Sequence, residues 1–111
     1  MAVYVKVLIP AKIAEAAQTT QYTAQNVTTI IDKFTATNFD IVAATISVNL
    51  VTLGDTAGNN NVITKTKTLQ ANETYIFPEL VGQVLAPGGY ISTIASGATS
   101  VNIRSSGREV S

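Results

Sequence analysis

"VAATISVNLV" (42–51) decides the fold. Val42, Ala44, Ile46, Val48 and Leu50 share one parity, and Ala43, Thr45, Ser47, Asn49 and Val51 share the other. A two-residue period is that of a β-strand with one buried face. The second face is less ordinary. Strands that meet water usually carry Lys or Glu there, whereas Thr45, Ser47 and Asn49 are small, uncharged and hydrogen-bonding. Three fates suit such a face: cover from the chain's own layers, contact with another subunit, or plain exposure.

The same period recurs outward in both directions. Upstream, Val3, Val5, Val7 and Ile9 alternate with Tyr4, Lys6 and Leu8, and Pro10, which has no N–H for a ladder, is expected to end that strand. "AKIAEAA" (11–17) is too short for a firm helix and suits a turn or strand lead-in equally well. "TTQYTA" (19–24) reads as a strand, and "TTIIDKFTATN" (28–38) as a β-branched strand of mixed parity, so a bulge or two-sided burial is expected. Asn38 and Asp40 mark a turn around Phe39, and the long strand is expected from Ile41 to about Leu53.

Downstream, "GDTAGNNN" (54–61) is a polar loop, and "VITKTKTL" (62–69) alternates again. Lys65 and Lys67 suit an edge strand. "TYIF" (74–77) is a short strand. In "PELVGQVLAPGG" (78–89), Leu80, Val81, Val84 and Leu85 have helical spacing behind Pro78 and Glu79, which predicts one short helical turn near 78–85. Pro87-Gly88 signals a type II turn. "GYISTIAS" (89–96) and "SVNIRSSGREV" (100–110) are the last two strands. Seven to nine short antiparallel strands with turns between them predict an all-β, single-domain β-sandwich or jelly-roll-like barrel spanning 1–111. Residues 1–10 are set apart as an N-terminal strand able to dock on, or exchange with, a neighbour.

Composition narrows the chemistry. The chain has 111 residues, seven basic and seven acidic, and no net charge. Charged residues make up 13% of it, against ~25% in an ordinary domain. No steering field for nucleic acid or an acidic membrane results. Cys and His are absent, so disulfides, thiolate sites and the commonest acid–base residue are all missing. The carboxylates Glu15, Asp32, Asp40, Asp55, Glu73, Glu79 and Glu109 fall at no motif spacing. "GDTAGNNN" lacks the alternating acids of a Ca²⁺ loop. The apolar run from Ala2 to Ile9 is too short to span a membrane and does not read as a secretory signal. Synthesis in the cytoplasm is the default expectation. Catalytic, metal and cofactor sites are therefore assigned to no residue, and no nucleic acid, membrane or small-molecule substrate is expected.

The second half, "NETYIFPELVGQVLAPGGYISTIASGATSVNIRSSGREVS", resembles the C-terminal part of a family of small tailed-bacteriophage virion proteins. The features that carry the likeness are "PELVGQVL" followed by "APGGYIS", the small-residue hairpin "ASGATS" and the terminal "SGREV". "QYTAQNVTTIIDKFTATN" and "ATISVNLV" fit upstream, so the likeness covers residues 17 to 111. It implies a small β-sandwich without catalytic residues, located in the virion in many copies, as a capsid decoration (cement) protein or a neck, collar or tail accessory. The partners implied are the major capsid protein or portal and neck proteins, together with further copies of the chain in a homo-oligomer. A carbohydrate-binding sandwich is the rival reading. The residues expected at an interface are Val3, Tyr4, Val5 and Val7 on the first strand, Thr45, Ser47 and Asn49 on the polar face, and Arg104 and Arg108 near the C-terminus.

Overall fold

The alternation becomes nine strands and no helix. A computed structural model, which describes Met1–Ser111, contains β1 (Val3–Ile13), β2 (Thr19–Thr23), β3 (Thr28–Asn38), β4 (Ala44–Val51), β5 (Val62–Leu69), β6 (Thr74–Ile76), β7 (Val84–Leu85), β8 (Tyr90–Ala95) and β9 (Val101–Val110). One antiparallel sheet has the order β1-β9-β3-β6, with β7 also paired to β3; the other has the order β2-β8-β4-β5. The pairs β1–β9, β2–β8, β3–β6 and β4–β5 mean that the second half of the chain runs back along the first. That wrapped ribbon, closed over its own inner face, is a jelly roll.

The inner faces hold the core. Ile31, Phe34 and Ile103 of the first sheet meet Ile46, Val48 and Ile91 of the second, all fully buried. Phe77 and Leu80, from the segment after β6, fill one side, and the Phe77 ring meets Phe34 edge-on at 4.9 Å and Tyr75 at 4.7 Å. Edge-on packing is the geometry aromatic quadrupoles favour. The mixed parity of β3 has its cause in a bulge. The register with β9 slips between Ile31 and Lys33, so Asp32 and Lys33 both face out while Ile31 and Phe34 both face in.

Four expectations change. Pro10 does not end the first strand. β1 is an edge strand, its register slips between Val7 and Ile9 and again between Ile9 and Lys12, and the exposed Pro10 lies within the second slip, where no ladder N–H is required. No helical turn forms at 78–85. Leu80 N–H donates to Phe77 C=O and Gln83 N–H to Leu80 C=O, giving two successive four-residue turns before β7. Of the four residues in the helical pattern, Leu80 and Leu85 turn inward while Val81 and Val84 stay exposed.

The long strand starts at Ala44 rather than Ile41, because the buried Asn38 side chain donates to Val42 C=O at 2.8 Å and ties residues 39–43 into a loop. Finally, β5 does not alternate strictly. Its register with β4 slips twice, and Thr66 within it has φ +47°. The type II turn is as expected, with Gly88 at φ +88° and Gly89 N–H donating to Ala86 C=O at 2.9 Å.

Two backbone positions yield opposite predictions. A Cβ built on Gly107 would stand 2.2 Å from Ile30 C=O and 2.8 Å from the Leu8 side chain. Gly107→Ala is expected to lower unfolding free energy by about 3 kcal/mol or more, read by urea denaturation. Thr66 is exposed and β-branched in the left-handed region, which costs a non-Gly residue about 1–3 kcal/mol. Thr66→Gly is expected to stabilise by about 1 kcal/mol after the flexibility glycine adds to the unfolded chain.

Candidate functional site

Where the polar face of β4 leads is settled by its own side chains. Asn49 Nδ2 donates to Gly58 C=O at 3.0 Å and to Asn61 Oδ1 at 2.7 Å, and Asn61 Nδ2 donates to Thr56 C=O at 2.8 Å. The β4–β5 loop is thereby drawn over the strand. Ser47 Oγ accepts from Thr66 N–H at 2.7 Å, which satisfies the bulged backbone. Ser47 and Asn49 are 8% and 4% exposed, so these two candidate interface residues are covered by the chain itself. Thr45 is half-buried beside them, and its N–H donates to Ser96 Oγ.

The two arginines part company. Arg108 forms a forked pair with Asp32, Nη2 to Oδ1 at 2.9 Å and Nε to Oδ2 at 3.1 Å, and the pair lifts the guanidinium above its ordinary value. Arg108 therefore meets the outward Asp32 of the β3 bulge. Arg104 has no ion-pair partner and, with Lys33, Thr35, Ser105 and Ser106, lines a shallow polar depression of about 240 Å³ on the outer face of the first sheet. No three acidic, His or Cys side chains converge anywhere. The barrel interior, which in many jelly rolls holds the ligand, is filled by the core described above.

The first strand is different. Ala2 and Ser111 exchange both backbone hydrogen bonds, at 3.1 and 3.0 Å. In an antiparallel ladder such pairs alternate with pairs whose backbone groups point away. With the register Val3–Val110, Tyr4–Glu109, Val5–Arg108, Lys6–Gly107 and Val7–Ser106, the even residues bond to β9. Val3, Val5 and Val7 direct N–H and C=O out along the open edge. These residues are 52%, 88% and 42% exposed. The stripe continues over the same face through Ile30, half-buried, and Val84, exposed, in the row of Val5 and Arg108. Tyr4 is exposed on the opposite face beside Lys6, which pairs with Glu109 at 3.2 Å.

A second apolar surface was hidden in the long-strand reading. In the β3–β4 loop Phe39, Ile41 and Val42 are 47%, 88% and 59% exposed. They are held firmly. Asn38 Nδ2 donates to Val42 C=O and Leu69 C=O, its Oδ1 accepts from Asp40 N–H, and Phe39 N–H donates to Ser100 C=O. Asp40 carboxylate oxygens accept from Ile41 N–H and Ser100 Oγ. Three large apolar side chains between Asn38, Asp40 and Ala43–Ala44 were the available signal. The pattern places Phe39 in a turn and counts Ile41 and Val42 into the long strand.

Several ionisable groups are shifted by burial and by their hydrogen-bond partners. Tyr22 hydroxyl sits between Thr29 and Glu109. Burial first, and the neighbouring Glu109 carboxylate second, push the phenol up to about 12. The bond from Tyr22, aided by Lys6 and opposed by burial, holds Glu109 below the usual carboxylate range. Burial resists ionisation of Glu79, but bonds from Thr64, its own backbone and Tyr75, with Lys67 nearby, outweigh it and keep that carboxyl low too. Gln21 and then Lys12 lower Glu15.

No family model, curated protein or solved structure matches the chain. No helix is long and apolar enough to cross a membrane.

The pH dependence follows by sign. Carboxyls depressed in the folded state stabilise it above their unfolded values, near 4.3 for Glu, and that stability is lost as pH falls through the folded values. Tyr22, raised from 10.0 to about 12, favours the folded state below pH 10, and that contribution is lost as pH climbs toward 12. Urea midpoints should therefore hold level from about pH 5 to pH 9.5 and fall on both sides. Tyr22→Phe should flatten the alkaline limb, and Glu109→Gln should shallow the acid limb.

Proposed function

We propose that this chain is a non-enzymatic structural protein of a bacteriophage virion, a capsid decoration protein that bridges neighbouring shell subunits. One observation carries the reading. The jelly roll is closed around a packed core, and its two largest groups of exposed apolar side chains are the Val3–Val7 edge and the Phe39–Val42 loop. Both are surfaces for contact, and neither is a cleft. Jelly rolls are common among viral capsid domains, and the likeness of residues 17–111 to small phage virion proteins points the same way. Fold likeness is an analogy and the surfaces are the physical basis.

Lectins also use jelly rolls, but sugar platforms need aromatic rings side by side. Tyr4 and Phe39 are the two freely exposed aromatics. Tyr4 stands beside Glu109 and Phe39 beside Ser100, at opposite ends of β9 and about 31 Å apart at ~3.4 Å per residue. With Tyr22, Phe34 and Phe77 buried, no groove of rings forms.

The bridging mechanism is burial of apolar side chains that the free molecule exposes. The Asn38 and Asp40 hydrogen bonds fix the Phe39–Val42 loop beforehand, so docking orders little backbone. Repetition over a symmetric shell multiplies modest contacts.

Gold-labelled antibody to the chain, applied to particles of the phage that encodes it, tests the reading. Label over the shell supports decoration, and label confined to the head–tail junction selects the neck or collar role instead. Purified particles without label overturn the virion assignment. Ile41→Asp should weaken binding to the particle about tenfold or more, as loss of an anchor does, with an unchanged melting temperature because the side chain is 88% exposed.

A further inference from the structure

We propose that the free edge of β1 pairs with the same edge of a second copy, antiparallel, about a two-fold axis through Val5. The pairing rests on the contact reading of this edge, but not on the virion assignment.

The backbone restricts the register. Val3, Val5 and Val7 carry the outward N–H and C=O groups, so only registers that set odd residues opposite odd residues satisfy them. Centred on Val5, Val5 faces Val5 of the second copy, Val3 faces its Val7 and Val7 faces its Val3. Each of these three pairs exchanges two hydrogen bonds, six in all, and no outward group between Val3 and Val7 is left over.

Side chains choose the same register. On one face the valines of both copies meet in a single cluster, covering groups that are 52%, 88% and 42% exposed in one molecule. On the other, Tyr4 of each copy lies opposite Lys6 of its neighbour, ring against ammonium, with Glu109 in the same row. Centring the axis on Lys6 would set Lys6 against Lys6, and directly opposed like charges are unfavourable. Centring it on Tyr4 would set Val7 against residue 1, outside the strand that begins at Val3. The stretch available is itself symmetric about Val5. It begins at Val3 and ends at Val7, where the ladder slips before Ile9. A chain without net charge adds no long-range repulsion between copies.

Five residues per copy make a small contact, below the ~1,200 Å² of stable interfaces. The dimer is therefore concentration-dependent in solution and gains strength when both copies are held by a common surface.

The chain has no cysteine, so a disulfide in a single-cysteine variant can only join two copies. Val5→Cys places the two Cα atoms about 5.5 Å apart, within disulfide reach. Tyr4→Cys and Lys6→Cys place theirs on a diagonal of about 7–8 Å. Under mild oxidation Val5→Cys should crosslink at least tenfold faster than either. By sedimentation, the average mass of the native chain should rise with concentration from 11.6 kDa toward twice that value.

Val5→Pro should abolish the rise. It removes an N–H that faces the edge and that the β9 ladder does not use, so the fold persists, as an unchanged circular dichroism spectrum would verify. If that variant unfolds, Val5→Lys serves the same purpose through an exposed side chain. A monomer at millimolar concentration, an unaltered dimer in the Pro or Lys variant, or equal crosslinking at positions 4, 5 and 6 overturns the proposal. Each outcome is read on purified protein, so it is separate from particle labelling.

Discussion

The fold depends on how closely β9 can approach β3. In a jelly roll the last strand lies between the first and the third, and here β9 carries β1 on one side and β3 on the other along nearly its whole length. Opposite the β3 bulge, the Ile30 carbonyl leans to within 2.2 Å of where a Cβ would stand on residue 107. Only hydrogen fits there. Leu8 then packs over the same point, which seats the bulged part of β1 and closes the core. The outward Asp32 on the bulge is tied to Arg108, one residue beyond Gly107. One missing side chain thus allows the close approach, and one ion pair on the outer surface marks where it occurs.

Much of this was legible in the sequence because strands announce themselves in steps of two. β4 and β9 were readable from Ile46 and Ile103 and their same-parity neighbours, and β3 from its β-branched run. The failures share a physical cause: local spacing does not report register. Leu80, Val81, Val84 and Leu85 have helical spacing, yet two turns at 77–83 and the pairing of β7 with β3 place only Leu80 and Leu85 in the core. Pro10 reads as a stop until the strand is known to lie at an edge with a slipped ladder. Thr66 interrupts β5 by adopting a left-handed conformation that nothing in "TKTKT" signals, and it is tolerated because Ser47 accepts its N–H from the next strand.

The polar face that opened the question illustrates the same limit. Thr45, Ser47 and Asn49 are correctly read as a strand face that avoids charge. The reason is found nine to twelve residues away, where Gly58 and Asn61 fold back onto Asn49. A charged residue at 47 or 49 would be buried beneath that loop without a partner, which is costly. Small amides and hydroxyls satisfy one another there. Pairings of this kind are made in space, and no periodicity encodes them.

What remains outside is informative by contrast. A chain with so few charges has little to keep an open sheet edge from pairing, and natural edges are ordinarily blunted by lysines, prolines or bulges. β5 follows that rule, with Lys65, Lys67 and two bulges. β1 follows it only from the Val7–Ile9 slip onward, with Pro10 beyond. Over Val3–Val7 the edge is straight, its valines are bare, and its one lysine points to the other face, where Glu109 holds it. A protein that protects one half of an edge strand and leaves the other half open has a mechanical reason for the difference. The open half is the part of the sheet that is able to continue into another chain.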